Sequence, residues 1–149
     1  MSTEFNGKKL LVIGGTSGMG LQTARMVLEQ GGSVVIVGHR EDKAEEARKA
    51  LSSLGTVTAL TADLSRAEDV KRLLHTIDEH HKDINLLVNA AGVFFPKAFL
   101  EHTESDYEQY LTLNKAFFFI TQKVVANLVA SERPGAIVNI GSMLSLIHI

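Results

Sequence analysis

The 149-residue sequence contains no cysteine, so disulfide bonds, thiolate chemistry and cysteine-ligated zinc are all excluded. It also lacks a large excess of positive or negative charge. The formal net charge is −2, and no basic stripe with interleaved aromatics marks a nucleic-acid surface. No apolar run approaches the length of a membrane span, and residues 1–7 lack the basic and apolar regions of a signal peptide. We therefore expect a cytoplasmic protein that contacts neither nucleic acid nor membrane.

What the sequence does contain is a regular alternation of two kinds of segment. Five short, nearly continuous apolar runs lie at residues 9–13, 33–37, 57–61, 84–90 and 136–140, as is typical of parallel strands buried on both faces. Four longer segments with helical features separate them, at residues 18–30, 41–54, 65–77 and 103–129. Such alternation gives right-handed βαβ crossovers. The predicted fold class is α/β, with a doubly wound parallel sheet (Rossmann fold).

Several boundaries of these helices carry recognisable signals. The pair Gly31-Gly32 predicts the C-terminal end of the first helix. The segment 65–68, Ser-Arg-Ala-Glu, predicts a capping box at the start of the third helix, and the segment 103–106 is expected to cap the fourth. On the third helix, His75 is five and six residues from His80 and His81, spacings that do not place two imidazoles on one face. No metal site is expected.

The loop between the first strand and the first helix contains four glycines, in the sequence Gly14-Gly15-Thr16-Ser17-Gly18-Met19-Gly20. Glycine is favoured where the chain must turn sharply, approach a pyrophosphate closely and pack a helix tightly on a strand. The N-terminus of the helix then offers N–H groups and the positive end of its dipole to the phosphates. The spacing is neither the Gly-x-Gly-x-x-Gly fingerprint nor a P-loop, which ends in Lys-Ser/Thr. A tight turn that binds no ligand is the alternative interpretation.

This loop resembles the Thr-Gly-x-x-x-Gly-x-Gly loop of classical short-chain dehydrogenases/reductases, with Ile13 in place of the usual threonine. Four further segments are similar to motifs of that family and follow in the same order. They are Asp63-Leu64, Asn89-Ala90-Ala91-Gly92, Leu113-Asn114-Lys115 and Ile137-Val138-Asn139-Ile140-Gly141-Ser142. The resemblance extends from about Lys8 to Ser142, and its main departure is Ala90, where the family usually has a second asparagine.

The resemblance implies a role for each segment. Asp63-Leu64 would contact the adenine, Asn89 would help hold the central sheet together, and Gly92 would let the backbone pass close to the cofactor. Asn114 and Ser142 would be catalytic, the first through a water relay toward a lysine and the second by hydrogen-bonding the substrate carbonyl oxygen. Purely structural interpretations stay open for these residues. Asp63 also suits a local turn, the segment 89–92 an ordinary βα turn, Asn114 an exposed helix position, and Ser142 an ordinary loop.

The end of the second strand bears on the choice of cofactor. An acidic residue there would bind the ribose 2′-hydroxyl of NAD and repel the 2′-phosphate of NADP. The sequence instead reads Gly38-His39-Arg40, and the first carboxylate is Glu41. Arg40 can offer a planar fork of donors to a phosphate, and in the family's NADP-preferring members a basic residue often occupies the position of His39. NADP is therefore the expected cofactor, with NAD as the less favoured choice and a merely solvated Arg40 as the alternative.

In the family that this sequence resembles, the chemistry depends on a Tyr-x-x-x-Lys pair. The tyrosine transfers the proton, and the lysine lowers the pKa of the tyrosine. Neither tyrosine of this sequence has a lysine four residues on. We therefore expect residues 1–143 to be the N-terminal part of a single NAD(P)-binding domain, with strands one to five of the family's seven, inactive alone. Residues 144–149 are expected to be a non-native tail, because their sequence matches a translated transposon adaptor.

Three functions are compatible with these residues. The favoured one is an oxidoreductase that transfers hydride between NADP(H) and a small-molecule carbonyl or alcohol, as part of a longer protein that forms homo-oligomers. The second is a non-catalytic NADP-binding module. The third, another Rossmann enzyme such as a methyltransferase, is disfavoured by the segment 89–92 and by the missing acid after the second strand.

Overall fold

A computed structural model describes residues 3–141 of the chain. Strands and helices alternate throughout, as the apolar pattern predicts. The elements are β1 Lys9–Ile13, α1 Gly18–Glu29, β2 Ser33–Gly38, α2 Glu41–Leu51, β3 Val57–Thr61, α3 Ala67–His80, β4 Leu86–Asn89, a 3-10 turn Phe99–Glu101, α4 Glu104–Ala130 and β5 Ala136–Asn139. No helix within these residues is long and apolar enough to cross a membrane.

The five strands form one parallel sheet in the order β3-β2-β1-β4-β5. Leu11 of β1 pairs with Val35 on one side and with Leu87 on the other. The chain therefore builds the sheet outward from β1 to β3 and then returns to the opposite side of β1 to add β4. This arrangement confirms the predicted doubly wound fold. It also creates a switch point between β1 and β4, where ligands of such sheets bind beyond the carboxyl ends of the strands.

The core has two layers, one on each face of the sheet. Leu11 and Ile13 of β1 face α3 and α4, where they join a buried cluster with Ile77 and Ile120. The alternate residues of the strands face α1 and α2, in a second buried cluster. Each fully buried aliphatic side chain contributes about 1.5–3 kcal/mol relative to exposure. Because helices cover both faces, the central strands need apolar residues at every position, which explains their continuous apolar runs.

Two of the predicted helix boundaries are confirmed. At the end of α1, the Gly31 N–H donates to the Leu28 carbonyl and the Gly32 N–H donates to the Val27 carbonyl. Gly31 has a φ of +86°, the left-handed conformation that this C-terminal motif requires. At the start of α4, Thr103 and Asp106 form a reciprocal capping box.

Three boundary predictions are wrong, and the C-terminal ends of α1, β2, β4 and β5 each lie one residue from the predicted position. The predicted capping box at residues 65–68 does not form, because the Ser65 hydroxyl donates to the Asp63 carboxylate at 2.6 Å and Arg66 becomes the N-cap residue. Helix α2 ends at Leu51 rather than at residue 54. Strand β4 begins at Leu86 rather than at residue 84, because Ile84 belongs to a turn in which its N–H donates to the His81 carbonyl at 3.1 Å.

Strand β5 is the edge of the sheet among the described residues. All four of its residues are exposed, including Ile137 and Val138. An apolar edge strand presents unpaired backbone groups and invites association with another strand.

Candidate functional site

A cleft of about 640 Å³ opens at the carboxyl ends of the strands, beside the switch point between β1 and β4. Four separate segments that follow β1, β2, β3 and β4 meet there, and α4 closes one side. The sequence-predicted residues that line the cleft are Gly14, Thr16, Ser17, Gly18, Met19, Gly20, His39, Asp63, Leu64, Ala90, Ala91 and Gly92. The fold therefore brings together segments that are up to 78 residues apart in the sequence.

The glycine loop packs too closely on its surroundings to carry side chains at Gly14, Gly15 and Gly20. Gly14 has a φ of +81°, and a Cβ atom there would lie 2.6 Å from the Ala91 nitrogen. A Cβ atom on Gly20 would collide with the Gly14 carbonyl oxygen. The loop is also held to β2, since the Gly14 and Gly15 N–H groups both donate to the Val37 carbonyl, at 2.9 and 3.0 Å. The glycines thus set the first turn of α1 directly against the end of β1.

The N-terminus of α1 is suited to hold a phosphate group. Its N-cap residue, Ser17, makes no side-chain capping hydrogen bond, and the first turn contains no acidic residue. The N–H groups of the first turn have no intrahelical acceptors, because the helix begins there. Ser17, Gly18 and Met19 are exposed on the cleft. The positive end of the helix dipole and several free N–H donors therefore face the cleft, which fits the pyrophosphate of a dinucleotide.

Asp63 lies in the cleft and also forms a local turn. Its Oδ1 accepts hydrogen bonds from the Ser65 hydroxyl at 2.6 Å and from the Ser65 N–H at 2.9 Å. These bonds lower the pKa of Asp63 below its usual value, so the group is an ionised acceptor at neutral pH. The buried Asp69 carboxylate fixes the backbone by accepting from the Asp63 N–H at 3.0 Å. The turn orients the carboxylate, and it is compatible with a ligand contact.

Asn89 lies behind the cleft rather than in its lining. The side chain is fully buried, and its Nδ2 donates to Asn139 Oδ1 at 2.7 Å and to Thr121 Oγ1 at 3.2 Å. One amide group thereby connects β4 to β5 and to α4. The three residues that follow it, 90–92, are held at the rim of the cleft. A Cβ atom on Gly92 would meet open space.

The two predicted catalytic residues are not brought together among the described residues. Asn114 is exposed on α4 and does not line the cleft, although Leu113 beside it does. Ser142 lies outside the described residues, as does the segment 144–149.

At the end of β2 the two basic residues behave differently. His39 is exposed and lines the cleft. Arg40 does not line it, because its side chain turns to Asp42, with Nε donating to Oδ1 at 3.1 Å and Nη2 donating to Oδ2 at 2.6 Å.

Sequence reasoning missed several lining residues, among them Ala62, Val93 and Gln109. Ala62 and Val93 directly flank predicted segments, so a wider margin around each motif would have included them. Gln109 precedes Leu113 by four residues on α4, and this spacing places both on one face of the helix. That spacing was the available signal.

The comparisons with known proteins agree with this geometry. The chain matches the family described as short chain dehydrogenase over residues 8–149. It therefore belongs to the short-chain dehydrogenase family, and the family predicted from the glycine loop and the four further segments is confirmed.

Two curated relatives and one solved structure illustrate the similarity. The chain is 34% identical over 144 residues to the 2-dehydro-3-deoxy-D-gluconate 5-dehydrogenase of Escherichia coli, covering 95% of this chain and 56% of that protein. It is 30% identical over 148 residues to the 3-oxoacyl-(acyl-carrier-protein) reductase FabG of Chlamydia pneumoniae, covering 99% and 60%. The solved Pseudomonas aeruginosa RhlG/NADP active-site complex superposes with a TM-score of 0.87 at 30% identity, covering 100% and 60%. The chain thus spans little more than half the length of these relatives.

Proposed function

We propose that the cleft binds NAD(P)(H), and that the protein is an oxidoreductase acting on a small-molecule carbonyl or alcohol. The observation that carries the proposal is the N-terminus of α1, which faces the cleft without a side-chain cap or an acidic residue in its first turn. A bound nicotinamide supplies or accepts the hydride. The contribution of this chain is to bind and orient the cofactor.

The pyrophosphate and the adenine of the dinucleotide each have a chemically suitable partner in the cleft. The first-turn N–H groups of Gly18, Met19 and Gly20 would hold the pyrophosphate. The ionised Asp63 would accept a hydrogen bond from the exocyclic amine of adenine. Gly92, whose missing side chain leaves open space, would allow the backbone to pass close to the cofactor.

NADP is the preferred cofactor in this proposal. No carboxylate precedes Glu41 after β2, so nothing at that position favours a free ribose 2′-hydroxyl. His39 lies in the cleft and Arg40 is adjacent to it in the chain. Two proteins similar to this chain carry NADP in their descriptions, the RhlG/NADP complex and an NADP-dependent (R)-specific alcohol dehydrogenase of Lentilactobacillus kefiri, which is 28% identical.

Turnover requires more than the cleft. Asn114 and Ser142 are the proposed catalytic positions. The sequence contains no Tyr-x-x-x-Lys pair, because the residue four positions after Tyr107 is Leu111 and the residue four positions after Tyr110 is Asn114. The 149-residue chain is therefore expected to bind cofactor without reducing a carbonyl. The whole protein is proposed to form homo-oligomers.

The binding proposal is tested by a charge at the start of α1. Met19 is 65% exposed, so Met19→Asp leaves the core intact, and an acidic first turn favours the helix itself. The same carboxylate repels a pyrophosphate. We expect the affinity for NADP, measured by isothermal titration calorimetry, to fall at least about tenfold, on the scale of one charge-assisted contact.

Two variants serve as controls. Met19→Asn has a similar size without charge, and Met26→Asp places the same charge on the same helix at a residue that is 50% exposed and outside the cleft lining. Both should bind NADP nearly as the unsubstituted chain does. If Met26→Asp weakens binding as much as Met19→Asp, the pyrophosphate does not lie at the start of α1.

A non-catalytic NADP-binding module is the second candidate, and the missing Tyr-x-x-x-Lys pair favours it for this chain taken alone. The two functions separate in an assay of NADPH oxidation at 340 nm with the longest product of the gene and a panel of aldehydes and ketones. Turnover supports the oxidoreductase, whereas saturable NADP binding without turnover supports the module.

A further inference from the structure

The side chain of Arg40 is already engaged by an acidic residue of its own chain. Both oxygens of the Asp42 carboxylate accept from the Arg40 guanidinium, at 3.1 and 2.6 Å. The pairing raises the pKa of Arg40 and lowers that of Asp42, in each case chiefly through the side-chain hydrogen bond. The planar fork is thus satisfied in the two-bond geometry with which a guanidinium also binds phosphate.

The position of this pair follows from the start of α2. Arg40 is the N-cap residue in extended conformation, and Asp42 lies in the first turn of the helix. An acidic side chain there is stabilised by the helix dipole whether or not Arg40 contacts it. Both side chains are more than half exposed, so their contact is a surface ion pair of small net strength. Arg40 can therefore leave Asp42 at low cost when a stronger anion is offered.

We propose that Asp42 is a specificity-determining residue, which competes with the 2′-phosphate of NADP for the guanidinium of Arg40. The inference rests on the proposed binding of NAD(P) in the cleft. A phosphate carries more negative charge than a carboxylate and replaces it on the same donors, whereas NAD, with a 2′-hydroxyl, has no group that can displace Asp42. Asp42 consequently lowers the affinity for NADP and leaves the affinity for NAD unchanged, so it sets how strongly the site discriminates between the two.

The substitution Asp42→Asn separates this role from a structural one. Asparagine keeps the size of the side chain and removes the charge that holds Arg40. Exposed ion pairs of this kind correspond to a change of up to about fivefold in a binding constant. We expect Asp42→Asn to tighten NADP binding about two- to fivefold, with a smaller effect at high salt, because screening weakens the competing pair. Binding of NAD should not change.

A matched control is available on the same helix. Glu45→Gln also removes one acidic charge from α2, but Glu45 pairs with Arg48, at 2.7 Å, whereas the ion pair of Arg40 within residues 3–141 is with Asp42. Its effect on NADP binding should stay below about 1.5-fold, as for a screened surface charge. In an Arg40→Ala background the guanidinium for which Asp42 and the phosphate compete is absent. Asp42→Asn should therefore lose most of its effect on the affinity for NADP.

The experiment is isothermal titration calorimetry of the 149-residue chain and its variants with NADP and with NAD, with thermal melts to show that all variants fold alike. A selective gain for NADP in Asp42→Asn, absent in Glu45→Gln, supports the inference. Equal shifts for both cofactors, or no shift, would overturn it while leaving the proposed function intact. Failure of the unsubstituted chain to bind either cofactor would overturn the proposed function, and this inference with it.

Discussion

The contacts of Asn89 predict how much one buried amide contributes to the sheet. Asn89→Ala removes the hydrogen bonds to Asn139 and Thr121. Hydrogen bonds of this kind contribute about 0.5–1.5 kcal/mol each, or about 1–3 kcal/mol for two. Removing the side-chain amide also leaves a small cavity, which costs about 1 kcal/mol more.

One term acts in the opposite direction. The Oδ1 atom of Asn89 is buried without a hydrogen-bond partner, and its removal relieves a penalty of about 1 kcal/mol. The cavity and this relief nearly cancel. We therefore expect Asn89→Ala to lower the free energy of unfolding by about 1–3 kcal/mol, the value of the two hydrogen bonds.

The assay is urea denaturation followed by circular dichroism, with the m-value checked for each variant. Thr121→Val and Asn139→Ala each remove one acceptor and should each cost about 0.5–1.5 kcal/mol. A loss below about 0.5 kcal/mol for Asn89→Ala would refute the reasoning, since it lies under the range for even one such bond.

Further predictions concern the loops, a helix cap and the sheet edge. Gly20→Ala should lower the free energy of unfolding by about 1–3 kcal/mol through overpacking against the loop. Gly92→Ala, which meets open space, should change that free energy by less than about 0.5 kcal/mol yet weaken NADP binding. Equal destabilisation by Gly20→Ala and Gly92→Ala in urea titrations would contradict these two predictions. The Lys97 ion pair and the capping bonds from Thr103 lower the pKa of Asp106 in the folded chain. The stability that Asp106 contributes is therefore complete above pH 3.8 and is lost as the pH falls below that value. Asp106→Asn should therefore speed amide exchange at the start of α4 near pH 7, and the difference from the unsubstituted chain should narrow in acid; a difference independent of pH would exclude the charge as the cause. Finally, the chain should self-associate through β5 in sedimentation experiments, and Val138→Lys should reduce this; a monodisperse unsubstituted monomer at high concentration would contradict it.

The positions of the strands could be predicted because they depend on a strong and simple pattern. A run such as residues 34–37 is apolar at every position, as expected of a strand that is covered on both faces. Boundaries were harder, because single side chains decide them. Ser65 satisfies the pattern of a capping box as well as Thr103 does, but a carboxylate two residues earlier, that of Asp63, takes its hydroxyl. Thr103 also has a carboxylate two residues earlier, that of Glu101, but its hydroxyl donates to Asp106 instead, and the capping box forms.

The candidate site was predictable where glycine spacing or a strand end defined it, as in the loop 14–20 and at residues 90–92. It was less predictable where side-chain direction matters. From the sequence, Arg40 was expected to lie beside the 2′-phosphate. In the structure its side chain turns toward Asp42, and this direction depends on the N-cap geometry of α2. Asn114 shows the same limit, since helical periodicity places Leu113 in the cleft and leaves its neighbour exposed.

The most direct test of dinucleotide binding is a titration of the 15N-labelled 149-residue chain with NADP, followed by amide chemical shifts. We predict saturable shifts concentrated at Gly18, Met19 and Gly20, with a second group at Gly92 and Asp63. No saturable shifts, or shifts confined to surfaces away from the carboxyl ends of the strands, would contradict the assignment of this cleft as a cofactor site.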